Sequence, residues 1–489
     1  MRQKSLFLLI PLLALCFLFG TRSARAQVVI FPDAVLSNQV HAALGLPPAA
    51  DVHVSDLHNL TSLFLGNEGI TNISGLEYAS NLFNLDLSGN HINDATPLAS
   101  LTTLYALVLN DCSLTNASFV SGLTNLSELY LNDNQIHGIP GMDGLVNLFA
   151  FEMSRNGCVT NTSSLVGLTN ISYVSLRSDC IADIAFAAGM SQLQSLDVGN
   201  DSGTDPHRNF ISDISPLSGK MDLNWLSLAW NQVTNVPLAA SFTNLYGLYL
   251  SSNHFSDLSF IGSLPSLVEL SIHSSAVTNL SPLAGHTPLE YLDVSYLAIP
   301  NLTVVSGLTN LTELQAGGNN TGNAAWLGGL TKLLYLGYEK NGVTDISPLS
   351  SLSDLEWLNL NDNELQNIHP LTFLHNLTYA DLRNNRLDTN ALSAAMLDIS
   401  AIQTEGVVVD YLPQKSVLSS PIILSAPSSV GANQFRFNIQ SAPGSILRIW
   451  TSSDLSTWIS GALVTNTSGT LPYTNISSAT QLFFRAQQQ

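Results

Sequence analysis

Positive charge is scarce in this chain. Of its 489 residues only 16 are Lys or Arg, against 36 Asp or Glu, for a formal net charge of −20. Such a surface repels phosphate backbones and anionic lipid, which argues against a nucleic-acid partner. Charge of either sign is thin, at 11% of residues, while 45% are hydrophobic; the chain can build a large core, and Asn, Ser and Thr carry most of its polar surface. Catalytic signatures are missing: there is no G-x-S-x-G, H-E-x-x-H, Walker or dinucleotide motif. The eleven His are scattered without ligand spacing. No enzyme, metal or cofactor is expected. Long apolar runs are also missing after Ala26, so no integral membrane segment is expected beyond that point.

The segment up to Ala26 reads as a secretory signal peptide, 1–26. Arg2 and Lys4 precede an apolar run from Leu6 to Phe19, and Ala24-Arg25-Ala26 offers a small-x-small cleavage site. The run is short for a membrane anchor. The expected location is secreted, extracellular or cell-surface.

The motif L-x-x-L-x-L-x-x-N dominates the rest. Its first position falls at 60, 82, 104, 126, 148, 171, 193, 223, 245, 267, 289, 311, 333, 355 and 377, and twelve of the fourteen intervals equal the step from Leu60 to Leu82. A fixed period of this length marks a solenoid of stacked repeats, each too small to bury its apolar face alone. The Leu-x-Leu alternation predicts a short strand per coil, pairing in parallel with the next coil. Pro after Ile-Ser, in Ile214-Ser-Pro-Leu217 and Ile346-Ser-Pro-Leu349, predicts tight 3₁₀-like returns instead of long helices. The ninth position is usually Asn, as at Asn90, Asn134, Asn231 and Asn363. A buried amide offers two donors and an acceptor, so this column is read as scaffold. Cys112 takes that slot in one coil and is read as structural.

Ends of a solenoid need covers. Phe31 to Gly45 has helical spacing, with Pro32 and Asp33 at its start and Gly45 at its end, and reads as an N-terminal cap. The expected division is a helical cap over 27–56, about 15 repeats over 57–392, a C-terminal cap and linker over 393–420, and a β-sandwich module over 421–489. In the last, alternating segments at 434–439, 445–450, 457–459 and 481–485 are separated by turn signals such as Ala442-Pro-Gly444.

The constant repeat length, Leu-Thr-Asn at 168–170 and 308–310, Asp-Ile-Ser-Pro-Leu at 213–217 and 345–349, and the short helical cap together resemble bacterial leucine-rich repeat proteins of the internalin type. The resemblance spans roughly 28–390. It implies an α/β repeat solenoid whose parallel sheet lines a concave face, and family members bind different targets on that face. The tail, through Ser452-Ser-Asp-Leu-Ser-Thr-Trp458, Asn466-Thr-Ser-Gly469 and Phe483-Phe-Arg-Ala486, resembles the C-terminal β-module of secreted verrucomicrobial proteins, which implies an accessory role.

Cys158 and Cys180 stand one repeat period apart, which places them on adjacent coils. They are either a disulfide or two buried thiols. Positions three, five, seven and eight of each coil are expected to point to the concave face. They carry Tyr173, Trp225, Trp230, Tyr249, Tyr291, Tyr335, Trp357 and Tyr379 beside Asp293, Glu313 and Asp381. Stacking does not require aromatics there, and amphipathic rings are common binding anchors. Position three also suggests a plainer N-terminal half. One interval, Leu193 to Leu223, is much longer than the others; its extra residues, within Gly199–Arg208, are expected to protrude beside Trp225 and Trp230. The expected function is recognition of an extracellular protein ligand through the concave face. A glycan ligand on the same aromatic-acidic face, or a structural surface role, stands as the alternative.

Overall fold

The computed structural model describes residues 27–236, 241–415, 423–431, 434–440, 445–453, 457, 459–466, 470–476 and 483–488. The expected signal peptide, residues 416–420 of the expected linker, and Trp458 lie outside the described residues. The chain divides into two compact units between Asp293 and Val294.

The first unit opens with Val28–Val29 paired antiparallel to Val52–His53, and with a helix over Ala34–Leu44. Asp33 caps that helix by accepting the Val35 and Leu36 N–H groups at 2.9 and 3.1 Å. Gly45 ends it at φ 67°, a left-handed turn that glycine adopts without penalty. The other Asp33 oxygen accepts from the Thr71 N–H at 2.8 Å, which fastens the cap to the first coil.

Coils follow, each with a three-residue strand, from Ser62–Phe64 to Tyr291–Asp293. Adjacent strands are parallel and in register: Trp225 lies beside Gly247, and Leu226 beside Leu248. The motif leucines point into the stack; Leu226, Leu228, Leu248 and Leu250 are fully buried. The returns are short 3₁₀ turns, such as Thr96–Ser100 and Ser215–Leu217, the latter with Pro216 in its first turn. The fold is thus the α/β leucine-rich repeat solenoid the period implied.

Asn side chains fill the bend after most strands. Asn134 Nδ2 donates to the carbonyls of Leu109 and Leu131 at 2.8 and 3.0 Å, while its Oδ1 accepts from the Cys112 and Leu114 N–H groups. At the long interval the column resumes at Asn209, which donates to Leu176 and Val198. Asn200, fully buried, staples the neck of the insertion: it accepts from the Asn209 N–H at 2.5 Å and donates to the Asn209 and Trp230 carbonyls. The insertion is thereby held against its neighbours, with Gly203 beside the Trp230 indole, while Asp201, Thr204, Pro206 and His207 remain exposed.

Cys158 and Cys180 are bonded, with Cα atoms 4.8 Å apart on adjacent coils. Closing a loop of this length restricts the unfolded chain by about 3 kcal/mol. Reduction should therefore lower the melting temperature of the folded chain by several degrees, read as a thermal melt with and without reductant. A Cys158→Ser/Cys180→Ser variant should melt alike in both buffers.

The second unit carries the same coil, with strands from Glu313–Gln315 to Tyr379–Asp381, then a helix over Ala394–Thr404 capped by Ser393 and a last parallel strand, Val408–Asp410, beside Tyr379–Asp381. Its tail forms two antiparallel sheets. One orders Ile423–Gly431, Gln434–Gln440 and Thr470–Ile476; the other orders Ile459–Asn466, Ser445–Ser452 and Phe483–Gln488. Phe437, Ile439, Leu447 and Ile449 form its core. The strand expected over 457–459 runs instead over Ile459–Asn466, where Leu463 alternates with Val464 in a pattern that the short reading cut off.

Candidate functional site: aromatic rows on the strand face

On the first unit, three rings form a row spanning four consecutive coils, with the Glu269 coil between those of Tyr249 and Tyr291. Trp225 and Tyr249 have centroids 4.9 Å apart, and Tyr249 and Tyr291 6.1 Å. Gly247 makes this possible, because a Cβ there would come within 2.5 Å of the Trp225 ring. Glycine in the third position thus lets the indole lie flat over the next coil. The Tyr249 hydroxyl donates to the Glu269 carboxylate, and Ser271 Oγ donates to Asp293 at 3.3 Å. The Tyr249 hydroxyl is thus held internally. Tyr173 sits further back among carboxylates. Burial, then the charges of Glu152 and Asp197, push its phenol up to about 12, so it stays a neutral donor.

The second unit repeats the device. Tyr335, Trp357 and Tyr379 occupy the same position on consecutive strands, with Trp357 stacked on Tyr379 at 5.8 Å and 18°. Tyr335 is 41% exposed. The Tyr379 hydroxyl donates to Asp410 at 2.8 Å, and burial together with that bond raises its pKa to about 12. Glu313 lies in register beside Tyr335 and accepts from Gln315 Nε2 at 3.3 Å.

Two expected site residues sit elsewhere. Asp381 is only 3% exposed. Its carboxylate accepts from Arg383 Nε and Nη2 at 2.9 and 2.6 Å and from Asn361 at 3.2 Å. Burial works to raise its pKa, but these donors outweigh it and the net shift is downward. It is a structural anion and does not offer a contact surface. Trp230 leaves the row as well. The strands span only the third to fifth motif positions, so the eighth falls in the following turn, and Trp230 stands there at φ 61° beside the inserted loop.

The N-terminal half is not plain. Phe83 and Tyr105 stack at 4.8 Å with planes 8° apart, and Phe64, Phe83 and Phe149 are 71%, 48% and 51% exposed. Phe83, Tyr105 and Phe149 take the second motif position, just before the strand. Reading that position along the repeat would have revealed them.

These features define a leucine-rich repeat solenoid with exposed aromatic rows on its strand face. No family model and no curated protein sequence matches the chain. Its structural neighbours are internalin-like leucine-rich repeat proteins. An internalin (inlF) from Listeria monocytogenes is 28% identical over 73% of this chain and 96% of its own, with a TM-score of 0.59. A leucine-rich repeat protein from Leptospira interrogans is 22% identical over 73% and 97%, and the functional domain of InlJ from Listeria monocytogenes 18% over 84% and 94%, both at a TM-score of 0.55. The last two likenesses speak to the fold alone.

Proposed function

We propose that this chain is a secreted, non-enzymatic recognition protein that binds an extracellular protein ligand through its strand face. The observation that carries the reading is the Trp225–Tyr249–Tyr291 row, three rings over four consecutive coils with a hydroxyl tied to Glu269. Rings already held in place lose little rotamer freedom on binding, and aromatic anchors of this kind dominate interface energetics. The likeness to an internalin supports the reading, and the basic start and apolar run of the segment 1–26 support export.

Capture of extracellular proteins on the immobilised chain, followed by titration of the captured protein, tests it. Trp225→Ala and Trp357→Ala should each weaken binding at least tenfold, the effect of losing an anchor worth about 2 kcal/mol. Unchanged affinity in both variants would remove the strand face as the site. A glycan array run in parallel separates the alternative: capture of a polysaccharide with the same sensitivity would make the face a glycan platform.

A further inference from the structure

Beside the strand row of the first unit runs a groove of about 710 Å3 that the protein-binding reading does not use. Trp230, Phe210, Arg208, Ser252 and Ser275 help line it. Its volume falls in the range of small-ligand sites, about 300–1,000 Å3.

An indole forms one wall of the groove. Trp230 sits at φ 61°, in the left-handed region. The corresponding turn position is at positive φ in other coils as well, where it holds small residues such as Asn67, Gly89, Asp111 and Ser252 but also Arg155, Tyr296 and Lys340. Small polar residues and glycine tolerate that backbone, whereas a bulky side chain is strained by it. The left-handed backbone belongs to the repeat turn, and stacking does not call for an indole on it. The ring is held on one side by Gly203, where a Cβ would approach to 2.8 Å, and on another by the edge of His273 at 5.9 Å.

The groove is also a cationic place on an acidic protein. Arg208 lies over the Phe210 ring at 4.9 Å and donates to the Gly203 carbonyl at 3.0 Å. Arg155 and Arg177 bind carboxylates; Arg208 forms no salt bridge among the described residues. No Asp or Glu lines the groove. Finally, the Ser252 and Ser275 hydroxyls in its lining are screened from solvent and have no hydrogen-bond partner.

We propose that this groove binds a short acidic saccharide. The apolar C–H face of a sugar ring packs on Trp230 and Phe210, the two serine hydroxyls meet ring hydroxyls, and the carboxylate pairs with the Arg208 guanidinium, whose planar fork matches it. The site is separate from the strand row and stands whether or not that row binds protein.

Trigalacturonate and its fully methyl-esterified form, titrated calorimetrically into the full chain, are the probes. Trigalacturonate should bind at least tenfold more tightly than the ester. Arg208→Gln should erase that preference, and Trp230→Asn should abolish binding of both forms while the melting temperature holds or rises, because Asn accepts the left-handed backbone. Trp357→Ala, on the second unit, should leave trigalacturonate binding unchanged even where it weakens a protein ligand. The proposal is overturned if acid and ester bind equally, if neither binds at millimolar concentration, or if Arg208→Gln has no effect. Triglycine binding as tightly as trigalacturonate would also overturn it, by showing that a bare carboxylate suffices.

Discussion

Asn363→Ala should destabilise the second unit by about 4 kcal/mol or more, a loss read as an earlier midpoint in urea. The residue is fully buried. Its Nδ2 donates to the carbonyls of Leu360 at 3.0 Å and Tyr338 at 2.9 Å, and its Oδ1 accepts from the N–H groups of Asn341 at 3.0 Å and Val343 at 3.1 Å. Alanine removes these four bonds at once, together with a longer one to the Asn361 carbonyl at 3.4 Å. Each buried backbone group left without its partner costs about 1–3 kcal/mol. In a stacked array that loss falls on the contact between neighbouring coils, which carries most of the stability. Asn376→Ala is the control: its amide donates to the Ser353 carbonyl at 3.0 Å at an exposed site, and its loss should shift the midpoint far less. Similar midpoints for the two variants would refute the role assigned to the Asn column.

That column was legible because it recurs. A leucine pair and an amide in one slot repeat at fixed spacing, often enough that a single coil identifies the fold, and the cap helix announced itself through Asp33 and Gly45. The candidate site was only half legible. The third motif position yielded Trp225, Tyr335, Trp357 and Tyr379 because periodicity fixes which way a strand residue faces. Periodicity says nothing about what a side chain meets once it faces outward, so the capture of Asp381 by Arg383 and Asn361 was invisible. The short strands had the same effect on Trp230: once the strand ends at the fifth position, the eighth belongs to a turn. Arg208 and Phe210 were hidden for another reason. They lie at the end of an insertion that breaks the register and that the Asn200–Asn209 staple helps to fold back over Trp230.

Departures from the Asn column test its chemistry from the other side. Several coils replace the amide, and two of them, with Cys112 and Asp179, are instructive. Cys112 keeps a donor: its thiol, pushed up to about 11 by burial, remains protonated and donates to the Leu87 carbonyl at 3.2 Å. Asp179 does not. Its Oδ1 accepts from the Asn156 N–H at 2.8 Å, but Oδ2 is buried without a partner. An amide in that place would add donors for the Leu176 and Met153 carbonyls, which now receive side-chain bonds from Asn209 and Asn156. Burial raises the Asp179 pKa well above the usual carboxylate value; the Asn156 bond and the Arg155 charge pull it down, and the Asp205 charge adds to the rise. A folded-state pKa above the unfolded value of 3.8 has a definite sign. The stability this group contributes is complete below that value, where the neutral carboxyl can donate, and drains away as pH climbs through the folded pKa. Asp179→Asn should therefore stabilise the first unit by about 4 kcal/mol at pH 8, from relief of a buried anion and gain of two bonds of about 1 kcal/mol each. The gain should shrink steadily toward pH 4. Urea midpoints of both proteins across that range provide the measurement, and a gain independent of pH would show that Asp179 is ionised throughout.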